Sequence, residues 1–569
     1  MTAMPASPDD TNLRPADTGT PEAPHRAARL WRRELDHYPV TSHRMAYLAI
    51  VVLTTVVLYY ALYVQYAVAT SIITHFHMTY GYFVWVSVLG NAVGAFASLV
   101  AGLADRWGRA NMVVYGLLVA ALLSLLGLPN APDKGTYLVL FAALSFIEGI
   151  VLVATPALIR DFSPQLGRAT AMGYWTMGPV IGSLVVTVVT SSTLSFAGWQ
   201  DELRYSGWAG LAVFLPALLG LRELSPRLRD QIMVSLRDRA LVEARAKGAS
   251  PATAAGSHWR QMLRLDVVGS ATAISLFLLL YFGAVGNFVV YFAATFGYSE
   301  QRTNGLANWY WAANAVALVA AGLLSDRLKV RKPFMIVGAV GSIAVTTLFA
   351  LRATEPGTGY YTFAALFVAI GVLTGVTYAP WMASFTETVE KRNPAATATG
   401  LAVWGWIIRA VVAISTAFVP VVVTSATPLV EHGAEVRTAS VQAAPALAVI
   451  GAHPRLFAEL QSYPPNAVPP ALAARAAREV GEKDLATVRK AQPQLALLRR
   501  HGSQVKSAAE QGPGQWRTWW LICAAGQLVF LPFIFVMAGR WSPRRAREEA
   551  VEHQQAVDRE LAALIEQGD

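Results

Sequence analysis

From Met45 to Ala104 the sequence contains no Asp, Glu, Lys or Arg, and Asp105, Arg106 and Arg109 then arrive within five positions. The alternation continues along the chain. Uncharged windows fall at 110–132, 169–200, 205–221, 267–299, 303–325, 333–351, 356–386, 410–430 and 518–539. A helix that crosses a hydrocarbon core about 30 Å thick needs about 20 mostly apolar residues, each rising about 1.5 Å. Windows of this length therefore read as membrane-spanning helices. The first holds two of them, joined near His75–Tyr82, where His75, His77, Thr79 and Gly81 interrupt the apolar pattern. Composition agrees: 14% of the 569 residues are charged, against about 25% in a soluble domain.

The windows give twelve spans, at about 45–73, 80–104, 111–129, 136–159, 170–192, 205–222, 266–297, 303–325, 333–351, 359–383, 396–424 and 516–539. Lys and Arg gather in alternate connections: Arg106 and Arg109, Arg160 and Arg168, the stretch 222–264, Arg327 to Lys332, Lys391 and Arg392, and Arg540 to Arg547. Basic residues favour the cytoplasmic side, so both termini are expected there, in the cell membrane. The net charge of +10 reads as this topology signal, and no nucleic-acid partner is expected. The expected units are a cytoplasmic tail (1–44), a six-helix bundle (45–222), a cytoplasmic linker (223–265) with a charged helix near 226–247, helices seven to eleven (266–424), an external Ala/Pro-rich loop (425–515) with helices near 471–480 and 483–500, a last helix (516–539) and a cytoplasmic tail (540–569). No signal peptide is read in residues 1–43, and Cys523, the only cysteine, permits no intrachain disulfide.

Six spans, a long basic loop and six more spans imply duplication, and the charge packets support it. Asp105 aligned with Asp326 also aligns Leu103 with Leu324, Ala104 with Ser325 and Arg106 with Arg327. The turn LIRDFSPQLGRATAMG (158–173) likewise resembles FTETVEKRNPAATATG (385–400). The first packet resembles the G-x-L-a-D-R-x-G-R signature of the major facilitator superfamily through Leu103, Ala104, Asp105, Arg106, Gly108 and Arg109, with Ala101 at the leading position. In the second half Gly322, Leu324, Ser325, Asp326 and Arg327 match, and Lys329 replaces the second glycine. The resemblance implies an all-α membrane fold of twelve helices in two pseudo-symmetric bundles that rock about a midplane site. The packets would then latch the cytoplasmic side, Asp105 facing the positive end of a helix in the other half. In the fifth span Gly178, Pro179 and Gly182 resemble a G-P-x-x-G element of antiporter branches, with Ser183 where a further glycine is usual; close helix packing explains the same residues equally well.

Glu148 lies mid-way along the fourth span and Arg409 mid-way along the eleventh. A charge at that depth costs about 3 kcal/mol on insertion scales, so such residues pair structurally, line a wet cavity or carry protons. Glu148 is the candidate proton carrier, and Arg409 the candidate partner for Glu148 or for an anionic headgroup. Tyr59, Tyr63 and Tyr66 share one face of the first span. The resemblance places spans one, four, seven and ten around the cavity, so these tyrosines, with Asn287, Tyr291, Tyr378 and Trp381, are candidate lining residues suited to an amphipathic or ring-bearing solute. No G-x-x-x-x-G-K-[ST] loop, metal-spaced His/Cys set or Ser/His/Asp constellation is found, so neither ATP, a metal, another cofactor nor an enzymatic activity is expected. The expected function is proton-coupled secondary transport by a monomer embedded in the bilayer. Organic-anion symport stands ahead of proton-antiport efflux of amphipathic compounds, and a non-transporting sensor is the alternative from another class.

Overall fold

A computed structural model of the chain describes residues 33–99, 108–163, 174–225, 262–355, 357–392, 397–464 and 468–544, with scattered single positions besides. Leu103, Asp105, Arg106 and nearly all of 226–247 lie outside the described residues. Among the described residues twelve helices form the body: α1 (Thr41–Ala67), α2 (Tyr80–Leu99), α3 (Arg109–Leu122), α4 (Lys134–Phe162), α5 (Gly178–Thr193), α6 (Trp199–Gly220), α7 (Leu265–Phe296), α8 (Glu300–Leu328), α9 (Lys332–Arg352), α10 (Tyr360–Arg392), α11 (Thr397–Val422) and α12 (Gln492–Val536). Eleven of them lie in segments long and apolar enough to cross a membrane. The other, α6, opens on Gln200, Asp201, Glu202 and Arg204 before its apolar run begins. Outward faces stay apolar, as Phe96, Leu126, Val316 and Val421 show by their exposure, which suits lipid rather than water.

The two halves repeat each other in packing as well as in order. In the first, α2 and α3 pack on α4, α6 on α3 and α1, and α1 on α5. In the second, α8 and α9 pack on α10, α12 on α9 and α7, and α7 on α11. The halves meet through α5 against α8 and through α11 against α2, a reciprocal pair of contacts. This is the arrangement of two pseudo-symmetric six-helix bundles. Arg33 and the residues that follow α12 lie at the end of the body where α6 finishes and α3 and α9 start, called here the basic end. The opposite end carries the long insertion and is called the loop end.

Three features depart from the expected boundaries. The insertion is helical throughout most of its length, with segments Ala426–Gln442, Ala444–Ala452, Pro454–Gln461, Pro470–Val480 and Glu482–Lys490. Leu456, Phe457, Leu472, Val488 and Leu495 give it a small apolar core of its own. The last helix begins at Gln492, not near 516, and runs unbroken for 45 residues. Its outer part buries Val505, Ala508 and Gly512 and packs along Ala426–Gln442, so tertiary contact extends the helix beyond the apolar run that signals it. The third departure is at the amino terminus. Strand β1 (Glu34–Leu35) pairs in parallel with β2 (Glu223–Leu224), and Arg33, 1% exposed, donates to the carbonyls of Leu218 (2.7 Å) and Leu221 (3.2 Å) and to Asn111 (3.1 Å). The final carbonyls of a helix lack intrahelical partners and carry partial negative charge, and Arg33 satisfies those of α6. This stretch of the expected tail is thus tied to the bundle.

Candidate functional site

Small residues let α2 and α4 approach closely. A Cβ on Gly149 would lie 2.3 Å from the carbonyl oxygen of Gly94, and one on Gly94 would lie 3.0 Å from the carbonyl oxygen of Ser145. That contact sets Glu148 beside α2: the same Gly94 Cβ would lie 3.6 Å from the Glu148 Oε2. From the other half, Arg409 on α11 reaches across and donates its Nη1 to the Gly94 carbonyl at 2.8 Å. Gly94 thus stands between two opposite charges from different bundles. No ion pair joins Glu148 to Arg409 among the described residues, although both line one cavity. Helix α11 is the more weakly packed partner, with 6% of its apolar window buried against 50% for α4 and 44% for α2.

The cavity has a volume of about 210 Å³ and lies between the bundles. Tyr59, Tyr63 and Tyr66 form one wall, with ring centroids 5.3 and 6.4 Å apart along α1. Asn287 of α7 also lines it, accepting from the Tyr80 hydroxyl at 3.2 Å, and Tyr378 of α10 closes another side. Tyr291 and Trp381 do not belong to the lining. Tyr291 is fully buried against Trp516 and Trp520 of α12, and Trp381 is stacked on Phe385 and Tyr378. Each lies one turn or less from a lining residue, on a face turned into its own bundle. The lining also includes Asn91, Tyr281, Asn314, Thr374 and Trp404, none of which the sequence analysis singled out. Ser87, Asn91 and Gly94 recur at i, i+4 and i+7 on α2, a stripe of small and polar residues that could have marked this wall. The spacing that separates Glu148 from Thr374 also separates Gly149 from Gly375, and a Cβ on Gly375 would approach the Asn314 carbonyl as one on Gly149 approaches Gly94. The repeat therefore sets Thr374 opposite Glu148, and the charge belongs to one half alone.

The G-P-x-x-G element divides its labour. A Cβ on Gly178 or Gly182 would collide with Thr55 (2.5 Å) or Tyr59 (2.7 Å) of α1, while Pro179 lines the cavity. At the basic end, the ion pairs described for the charge packets join residues of the same half. Arg109 meets Asp161 at 2.8 Å. Arg331 meets Asp326 at 2.6 Å and Glu387 at 3.2 Å, and its Nη1 donates to the Ser325 hydroxyl at 2.8 Å. Gly108 has φ 88°, and a Cβ there would strike the Glu223 carboxylate that caps Arg109 N–H at 2.8 Å. Lys329 occupies the corresponding seat with φ 55°. Gly322 faces Ala379 on α10, and Arg327 is exposed.

The chain's relatives agree with this architecture. The family model described as Major Facilitator Superfamily matches residues 51–413. An uncharacterized MFS-type transporter, YttB of Bacillus subtilis (strain 168), is 28% identical over 167 residues; the match spans 29% of this chain and 38% of that relative. Among solved structures, a bacterial homolog of the human lysosomal transporter Spinster, in its inward-facing and occupied conformation, superposes with a TM-score of 0.53 at 17% identity, covering 89% of this chain and all of that one. The unoccupied form of the same description gives 0.50 at 16% identity. With the duplicated bundles, the cavity between them and a family match across most of the membrane-spanning chain in hand, this protein belongs to the major facilitator superfamily.

Proposed function

We propose that the protein is a secondary active transporter that moves a small organic solute by alternating access and couples that movement to protons. The observation that carries the proposal is the placement of Glu148 and Arg409 on opposite halves of one aromatic cavity, with Gly94 between them and no ion pair joining them. Removing such charges from water is costly unless they are paired or functional. Desolvation favours the neutral acid and a nearby guanidinium favours the carboxylate. A proton on Glu148 leaves Arg409 with the Gly94 carbonyl; loss of that proton draws Arg409 to the carboxylate and changes the fit between α11 and α2. Arg409 uses one Nη at Gly94, and its remaining donors suit an anionic headgroup, while the tyrosine wall suits a ring or apolar body. Symport of an organic anion follows. Proton-antiport efflux is the second reading, supported by Pro179 in the cavity wall between the glycines of the α1–α5 contact. The excess of Lys and Arg at the basic end supports a cytoplasmic orientation of that end, with the protein in the cell membrane.

The test uses purified protein in sealed vesicles containing a pH-sensitive dye, presented with aromatic carboxylates and amphipathic amines. A subset of the panel should move protons with the parent protein. Glu148→Gln should lower gradient-driven uptake of that solute at least tenfold and leave solute exchange without a gradient in place. Undiminished gradient-driven uptake by the variant contradicts the coupling role.

A further inference from the structure

At the loop end, α1 stops at Ala67, Val68 leaves helical geometry (φ −120°, ψ 29°), and a short helix resumes over Ala69–His75. The break frees the Ala67 carbonyl, and Asn304 of α8 donates to it at 2.9 Å. One turn earlier on α8, the carboxylate of Glu300 accepts from Ser71 N–H (2.8 Å), from the Ser71 hydroxyl (2.6 Å) and from the Thr70 hydroxyl (2.5 Å). A second carboxylate arrives from the insertion. Glu431, on Ala426–Gln442, accepts from the N–H of Tyr80, the first residue of α2, at 3.0 Å. That helix packs on α2, on α7 and on the Ala69–His75 segment. Tyr80 is held at its other end by Asn287. Both acids belong to the second half, and both act on backbone N–H groups of the first.

We infer that Glu300 and Glu431 are the bolts of a loop-end gate, and that the 425–515 insertion serves as a brace that delivers the second bolt across the halves. The physics is the one the sequence suggests for Asp105 at the basic end, a carboxylate on the positive start of a helix in the other bundle. Here it operates at the opposite face. Charge-assisted hydrogen bonds of this kind are about twice as strong as neutral ones, and they connect segments that separate if the halves rock. Glutamine at either position keeps the size and one acceptor oxygen but loses the charge and the second acceptor.

The gate is read by pulsed electron-spin distances between labels at Pro132 and Glu355, exposed loop-end positions on the two halves, with the buried Cys523 left in place. The parent should give a dominant short distance. Glu300→Gln and Glu431→Gln should each raise the long-distance to short-distance ratio at least fivefold, and the double variant should raise it further. Glu435→Gln, one turn beyond Glu431 and exposed, should leave it unchanged. An unshifted distribution in a monodisperse double variant overturns the inference. If that variant does not fold, Thr70→Ala with Ser71→Ala removes two donors and keeps both acids; partial opening supports the gate and an unshifted distribution overturns it. The distances are taken without solute or gradient, so the result is separate from the role of Glu148.

Discussion

Gly149 shows how little room the site has. The Gly94 carbonyl must serve Arg409 from one side while α4 presses on it from the other, and 2.3 Å is too close for any Cβ. Overpacking costs about 1–3 kcal/mol, and here it also pushes Glu148 away from α2. Gly149→Ala should therefore lower the melting temperature of the detergent-solubilised protein by several degrees. Gly286→Ala is the matched control: Gly286 lines the same cavity with nothing within 4 Å of a Cβ, and its melting temperature should hold. Equal effects from the two substitutions contradict the close contact. At this scale the sequence was partly legible. Glu148 and Arg409 stand out because ionisable groups are rare at mid-membrane depth, and the Tyr59, Tyr63 and Tyr66 stripe because α1 has a helical period. Tyr291 misled because α7 is buried on nearly every side, so its residues give no directional cue. Arg33 and Glu300 were invisible for another reason: each looks like an ordinary charge at a membrane edge until the carbonyls or N–H groups facing it are known.

Among the elements, α4 illustrates how a loop charge fixes a span. Asp133 accepts from the Thr136 and Gly135 N–H groups and from the Thr136 hydroxyl, and these bonds, Thr136 foremost, hold its carboxyl below the ordinary value of 3.8. A lowered carboxyl contributes stability above its ordinary pKa and loses it as pH falls through the folded-state value. Asp133→Ala should speed amide exchange at Gly135 and Thr136 at neutral pH, and the difference from the parent should shrink once the solution is more acidic than the ordinary carboxylate range. A difference independent of pH contradicts the cap. Span existence was readable because bilayer thickness dictates length, whereas the ends of spans were not. The start of α12 at Gln492 depends on packing against Ala426–Gln442, and no hydropathy run records that.

For the whole molecule, the duplicated packing pattern and the reciprocal contacts α5–α8 and α11–α2 define two bodies with one seam. Hydrogen bonds cross that seam at the loop end through Glu300, Glu431, Asn304 and Asn287, and at mid-depth through Arg409. The ion pairs Arg109–Asp161, Arg331–Asp326 and Arg331–Glu387 each stay within one body at the basic end. Among the described residues, the hydrogen bonds at the loop end are the ones that join the two bodies beyond mid-depth. Rocking requires that the two ends trade distances: what opens at one face closes at the other. The most direct measurement places a second label pair at Tyr174 and Leu328, exposed basic-end positions on the two halves, and compares it with the Pro132–Glu355 pair in parent and Glu300→Gln proteins. The account expects the loop-end distance to lengthen and the basic-end distance to shorten together. A loop-end change with no reciprocal change at the basic end contradicts it.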